Sequence, residues 1–299
     1  MRTALLLAAL LSSGFLAAVE PASAPRPLRA EPRGAVPAPP REASGRTALD
    51  SIVTNDAFLP VVHIVGASGV YRSDVSIFNP DPSSAAVVDL YYTEADTDGT
   101  GSGSVALRIT PDLAPRESVT LSDIVGNPLY YNRASSYGLL EVRGSVPLIV
   151  TSNTYNVAGA LAGTYGQFSP GQASRNALGF DDSIYGDLYV TGLVNDPNHR
   201  TNAVVMNPTG TPLEAGVQLV DSVGNVYKTV LTDVPPYSLH QLNDIFYQDF
   251  ASSSPPQGGP WRLNVYVNLG NGAKVLCYAT LTDLRTGDPY LIPGQAARP

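Results

Sequence analysis

The sequence predicts an all-β protein: two tandem immunoglobulin-like β-sandwich modules related by internal duplication. Three observations predict it. The chain matches itself in order at offsets of 128, 121 and 123 residues. Short β-branched and aromatic runs alternate with Gly, Pro, Asn and Asp. No ten-residue stretch beyond the N-terminal 48 carries a convincing 3.6-residue apolar period.

The matches come first, because they set the boundaries. Arg72-Ser-Asp-Val-Ser-Ile-Phe-Asn-Pro80 aligns with Arg200-Thr-Asn-Ala-Val-Val-Met-Asn-Pro208. Pro115-Arg-Glu-Ser-Val-Thr-Leu-Ser-Asp-Ile124 aligns with Pro236-Tyr-Ser-Leu-His-Gln-Leu-Asn-Asp-Ile245, and Pro170-Gly171 with Pro293-Gly294. The implied modules are 51–175 and 176–299, each long enough for a core of its own.

The N-terminus reads differently. After Arg2 comes an uncharged run from Thr3 to Ala18, then Ala22-Ser23-Ala24. This is the layout of a secretory signal peptide, assigned to 1–24. Residues 25–50 are rich in Pro, Ala and Arg and are expected to be a disordered tether. No later stretch is long and apolar enough to span a membrane.

Within the first module, strands are expected over 58–65, 85–92, 104–110, 118–121, 138–143 and 147–155. In 104–110, Val105, Leu107 and Ile109 fall on one face, Ala106 and Arg108 on the other. Ser122-Asp123 and Asn243-Asp244 are each expected to cap a short helical turn. Seven to eight short strands in a module of this length indicate a sandwich.

Charge narrows the partners. The net charge is -8, with 18 basic and 26 acidic residues. Six of the arginines and three of the glutamates precede residue 47, which leaves 12 basic and 23 acidic residues, a net -11, for the remainder. Such a surface repels nucleic acid and anionic lipid. Cys277 is the single cysteine, so no intrachain disulfide forms, and its apolar strand context makes it a buried, inert thiol.

The chain resembles uncharacterised secreted bacterial proteins with tandem immunoglobulin-like modules. The resemblance lies in Phe58-Leu-Pro-Val-Val62, in Arg72, Asp74, Asn79 and Pro80, and in Thr164-Tyr-Gly-Gln-Phe168. It covers most of 58–294 and implies fold and export. It carries over no active-site residue.

Four groups are candidate sites. Arg72 with Asp123, and Arg200 with Asp244, recur in both modules, so each pair is expected to brace its own module. Glu94, Asp96 and Asp98 followed by Gly99 resemble the start of a calcium loop, although position 12 of such a loop is Val105 here. Calcium is thus the one cofactor candidate. Tyr91, Tyr92, Tyr130 and Tyr131 are candidate ligand contacts, because one of two adjacent strand tyrosines must face outward. His63, His199 and His240 have no counterparts in the other module, and no Gly-x-Ser-x-Gly or His-x-x-x-His pattern accompanies them.

The sequence therefore points to a non-catalytic secreted or cell-surface protein, with a protein or glycan partner. Its modules would serve adhesion, matrix structure or protein–protein contact. Carbohydrate binding through exposed tyrosines is the alternative, and a hydrolase with an unrecognised site a second one. A long exposed apolar edge strand would favour contact by strand addition. Tyrosines clustered on one open sheet face would favour sugar, and a concave pocket holding a His and two carboxylates would favour catalysis.

Overall fold

A computed structural model describes residues 29–32, 53–66, 69–157, 166–180, 186–248 and 257–296. The expected signal peptide, most of the expected tether, Tyr165 and Tyr185 lie outside the described residues. The protein is all-β. Strands β1 (Arg29–Pro32), β2 (Val53–Gly66), β3 (Gly69–Phe78), β4 (Val88–Glu94), β5 (Val105–Thr110), β6 (Ser118–Leu121), β7 (Ser136–Asn156), β8 (Gly166–Pro170) and β9 (Gln172–Ala173) build a first sandwich. A second follows from β10 (Leu178–Gly179), β11 (Leu188–Asn195), β12 (His199–Met206), β13 (Leu213–Val220), β14 (Val226–Val234), β15 (Leu239–Leu242), β16 (Gly258–Leu269), β17 (Lys274–Asp283), β18 (Pro289–Pro293) and β19 (Gln295–Ala296). The chain crosses between them through a 3-10 turn at Ser174–Asn176. No helix among the described residues is long and apolar enough to cross a membrane.

In the second sandwich, the sheet β14-β13-β16-β11-β19 faces the sheet β10-β17-β12-β15, with β18 on β17. Its last long strands, β16 and β17, lie in opposite sheets. In this they differ from the immunoglobulin order, where the last two strands are neighbours. The first sandwich uses the same pairings but joins them. The run β1-β5-β4-β7-β2-β3-β6 is continuous, with β8 on β7 and β9 on β2. The joining comes from β7. Sequence reading expects two strands here, broken near 144–146, and the structure has one strand of 21 residues. Its first half pairs with β4 and β2, as β16 pairs with β13 and β11. Its second half pairs with β3 and β8, as β17 pairs with β12 and β18.

Four residues of the expected tether are a strand. Arg29–Pro32 runs antiparallel to β5, with Arg29 opposite Thr110 and Pro32 opposite Leu107. An outer strand carries a free row of backbone donors and acceptors, and even a Pro-containing segment can satisfy part of it at an edge.

Each sandwich has its own core. The first gathers Leu59, Val75, Ile77, Leu90, Leu121 and Val142, the second Val190, Val205, Val217, Leu219, Leu263 and Val275. Leu107 and Ile109 lie in the first core, as their alternation requires. A third cluster joins the two sandwiches: Phe58 and Leu139 from the outer face of the first meet Val204, Met206, Leu239, Leu276 and Tyr278 of the second. Each large apolar side chain buried there contributes about 1.5–3 kcal/mol relative to exposure, so the two sandwiches form one body.

Candidate functional site

Arg72 and Asp123 stand side by side. Arg72 Nε lies 3.5 Å from Asp123 Oδ2, and His63 Nδ1 lies 2.8 Å from the other carboxylate oxygen. Gly126 has no side chain to displace the His63 ring: a Cβ there would fall 2.1 Å from Nδ1. Arg200 is exposed. What both sandwiches share is deeper. The Asp123 amide donates to Asp74 Oδ1 (2.8 Å), and the Asp244 amide donates to Asn202 Oδ1 (3.0 Å). The Ile124 and Ile245 amides donate to the carbonyls of Ser73 and Thr201, both at 2.9 Å. Asp123 and Asp244 have φ of 50° and 44°. The expected helical turns are thus single tight turns opened by a left-handed Asp, a conformation that short polar side chains tolerate.

The Glu94–Gly99 loop sits at the junction between the sandwiches. The Asp96 amide donates to the Leu239 carbonyl (3.1 Å), and the Gly99 amide to the Pro236 carbonyl (2.8 Å). Ser238 Oγ donates to the Glu94 carbonyl (3.2 Å), and His240 Nδ1 lies 2.7 Å from Asp96 Oδ1. The Asp98 carboxylate accepts from the Thr100 hydroxyl and amide, which hold it below the usual carboxylate range. The structure does not bring the three carboxylates together. No group of three or more His, Cys, Asp or Glu suited to a metal occurs among the described residues. Gly99 also has another reason to be glycine, because a Cβ there would fall 2.9 Å from the Pro236 carbonyl.

The four tyrosines separate. Tyr92 is 1 % exposed and Tyr131 7 % exposed, so neither offers a ring to a ligand. Their rings pack at 5.1 Å, and the Tyr92 hydroxyl lies 2.6 Å from Ser136 Oγ. Burial pushes the Tyr92 phenol up to about 12, against the opposing effect of that hydrogen bond. Parity explains the correction: Tyr92 shares the core face of β4 with Val88 and Leu90. Tyr91 takes the outer face, where the Arg143 guanidinium covers its ring at 4.5 Å. Tyr130 is half-buried and packs against the first core.

Sequence reading missed the partner of Arg143. Glu141 is buried on the outer face of β7 and accepts from Arg143 at 2.6 and 3.0 Å. Burial raises the Glu141 carboxyl above its ordinary range, and Arg143 only partly opposes this. Burial raises the Tyr237 phenol of the second sandwich, and the Glu141 charge adds to this while Arg143 opposes it. The sequence signal was Glu141-Val-Arg143, opposite charges two apart and so on one strand face.

The remaining histidine and the cysteine sit in local settings. His199 Nδ1 lies 2.9 Å from Asp196. Cys277 is buried in the second core, where burial raises its thiol far above its ordinary value.

Strand β14 is an outer strand of nine residues paired only with β13 among the described residues. Leu231 is 53 % exposed on it and Val226 49 % exposed. Its counterpart in the first sandwich is β5, which carries Arg108 bound to Asp89 (2.7 and 2.9 Å) and is covered by β1. Beside the C-terminal end of β14 is a shallow cleft of about 430 Å³, lined by Asp98, Glu214, Asp233, Pro235, Pro236 and Leu269 among others.

Neither a protein-family model nor a curated protein matches this chain. Among solved structures, the apo form of a Pleurotus ostreatus lectin matches with 8% identity over 81% of this chain and 76% of the lectin, at a TM-score of 0.21. So distant a likeness carries no argument about fold or ligand.

Proposed function

We propose that the chain is a non-catalytic, exported contact protein, serving adhesion or matrix assembly by adding strands of a protein partner to its sheet edge. Two copies of one module, arisen by duplication, act as a single stiff body through the third apolar cluster. The observation that carries the reading is β14: a long outer strand with Leu231 and Val226 exposed and Lys228 and Asp233 as its charged residues. An edge of this kind offers unpaired backbone groups for affinity and alternate side chains for selectivity.

The test is selection from a random peptide library on the full chain, repeated with Leu231→Lys. Extended peptides with alternating apolar residues should be enriched and should lose about tenfold in affinity for the variant. Failure to enrich any peptide that the variant rejects would overturn the reading. Glycan binding has an observation of its own, the exposed rings of Tyr71, Tyr247 and Tyr290. Saturable binding to a polysaccharide, lost in Tyr290→Ala, would favour it instead.

A further inference from the structure

The geometry points to a specific occupant for β14: the Arg29–Pro32 segment of a second copy of this chain. The inference rests on the contact reading above and names its partner. The protein already shows the segment seated on an edge. Arg29, Ala30, Glu31 and Pro32 pair antiparallel with Thr110, Ile109, Arg108 and Leu107 of β5. Strand β14 presents the same edge in the second sandwich. Leu107 pairs with Leu90, which pairs with Val142 of β7; Val230 pairs with Val217, which pairs with Val265 of β16. Positions 107–110 thus correspond to Val230, Leu231, Thr232 and Asp233.

Carrying the register across puts position 29 opposite Asp233 and position 31 opposite Leu231. Asp233 is itself opposite Glu214 in the β13–β14 pairing. Both line the cleft that Asp98 closes from the first sandwich. Residues 26–33 carry Arg26, Arg29 and Arg33 against Glu31 alone. On its own β5, position 29 faces an uncharged threonine, and position 31 faces Arg108, which Asp89 already holds. The acidic cleft therefore favours β14 of another copy at position 29, while position 31 and tethering favour β5 of the same chain. The balance makes association depend on concentration and salt. One segment per chain entering a different surface on the next is a head-to-tail contact, which grows into rings or filaments rather than closed dimers.

The experiment is sedimentation velocity of the full chain over a wide concentration range, at low and high salt. It is repeated with Arg29→Glu, Asp233→Arg and the double variant, all checked for unchanged unfolding midpoints. The wild type should associate as concentration rises, more weakly in high salt. Each single reversal should shift the midpoint by roughly fivefold or more, and the double variant should recover it. A synthetic peptide spanning residues 26–35 should dissolve the assemblies. A chain that stays monomeric throughout, or one whose association ignores both reversals and the peptide, overturns the inference. If such a chain still binds library peptides in a Leu231-dependent way, the contact reading survives alone; if it binds none, both fall.

Discussion

Asn79 and Asn207 hold the same post in the two sandwiches, and each is 0 % exposed. Asn79 Nδ2 donates to the carbonyls of Ser84, Leu113 and Ala114 at 2.8–3.1 Å, and its Oδ1 accepts from the Asp81 amide. Asn207 Nδ2 donates to Thr211 and Val234 at 2.8 and 3.1 Å, and its Oδ1 accepts from Thr209. Each amide fastens the turn after β3 or β12 to the segment that returns toward the next edge.

Removing either amide strands buried carbonyls without partners. At about 1 kcal/mol for each lost bond, Asn79→Ala and Asn207→Ala should each lower unfolding free energy by about 2–4 kcal/mol. Denaturant titration of the two variants measures this. A loss in one and none in the other would show that the two turns do not depend on their amides alike.

Tyr92→Phe removes the hydroxyl that meets Ser136 Oγ but keeps the ring against Tyr131. The expected loss is about 1–2 kcal/mol. Tyr92→Ala also empties ring volume from the core and should lose about 3–5 kcal/mol. Any fall in ligand binding in Tyr92→Ala therefore reports damage to the fold. An alanine variant as stable as wild type would refute the core placement.

The Glu141 carboxyl binds its proton more tightly folded than unfolded, because burial outweighs the pull of Arg143. A carboxyl with a raised folded value contributes stability that is fully present below its ordinary value near 4.5. That contribution is lost as pH rises through the raised value. Exposed aspartates such as Asp81 and Asp221, held low by local amides, act with the opposite sign. The difference between wild type and Glu141→Gln isolates the one group. Denaturant titrations should show wild type losing ground to the variant as pH rises from mildly acidic to neutral, and a difference that grows with pH instead would reverse the assignment.

Glu94, Asp96 and Asp98 make a narrower case. Asp96 faces His240 and Asp98 accepts from Thr100, so binding an ion would break contacts already made. Calcium should leave the unfolding temperature of the full chain unchanged, and chelator likewise. A calcium-dependent rise that vanishes in Asp98→Ala would put an ion in the loop.

Much of the fold was legible because the chain repeats its signals. Asn79-Pro80 with Asn207-Pro208, and Asp123-Ile124 with Asp244-Ile245, are the positions where a buried amide or a left-handed Asp meets backbone. The third cluster was also written in the sequence, in a different form. Phe58-Leu59, Leu139-Leu140, Val204-Val205-Met206 and Leu276-Cys277-Tyr278 are apolar at both parities. A strand that faces core on one side and water on the other alternates; one covered on both sides does not. What could not be read was which outward face meets which, since that depends on sheet positions far apart in the chain. The calcium pattern has a second, local reading: Gly99 serves close approach to Pro236, and a motif scan sees only the glycine. The open edge of β14 depends on what fails to pair with it, and composition does not carry that.

The junction itself is the remaining test. Leu139 sits on the outer face of β7, in the third cluster and outside the first core. Leu276 enters the same cluster from β17 of the second sandwich. Aspartate at either position puts an unpaired carboxylate into that cluster, which costs several kcal/mol in an apolar setting, while Leu140 and Cys277 keep both cores intact. Calorimetry of the full chain should show one cooperative transition for wild type. Leu139→Asp and Leu276→Asp should each resolve it into two, because each sandwich keeps a complete core once the contact is lost. A single transition displaced downward in both variants would mean that neither sandwich stands without the other, and the stiff body would then be a condition of folding as well as of contact.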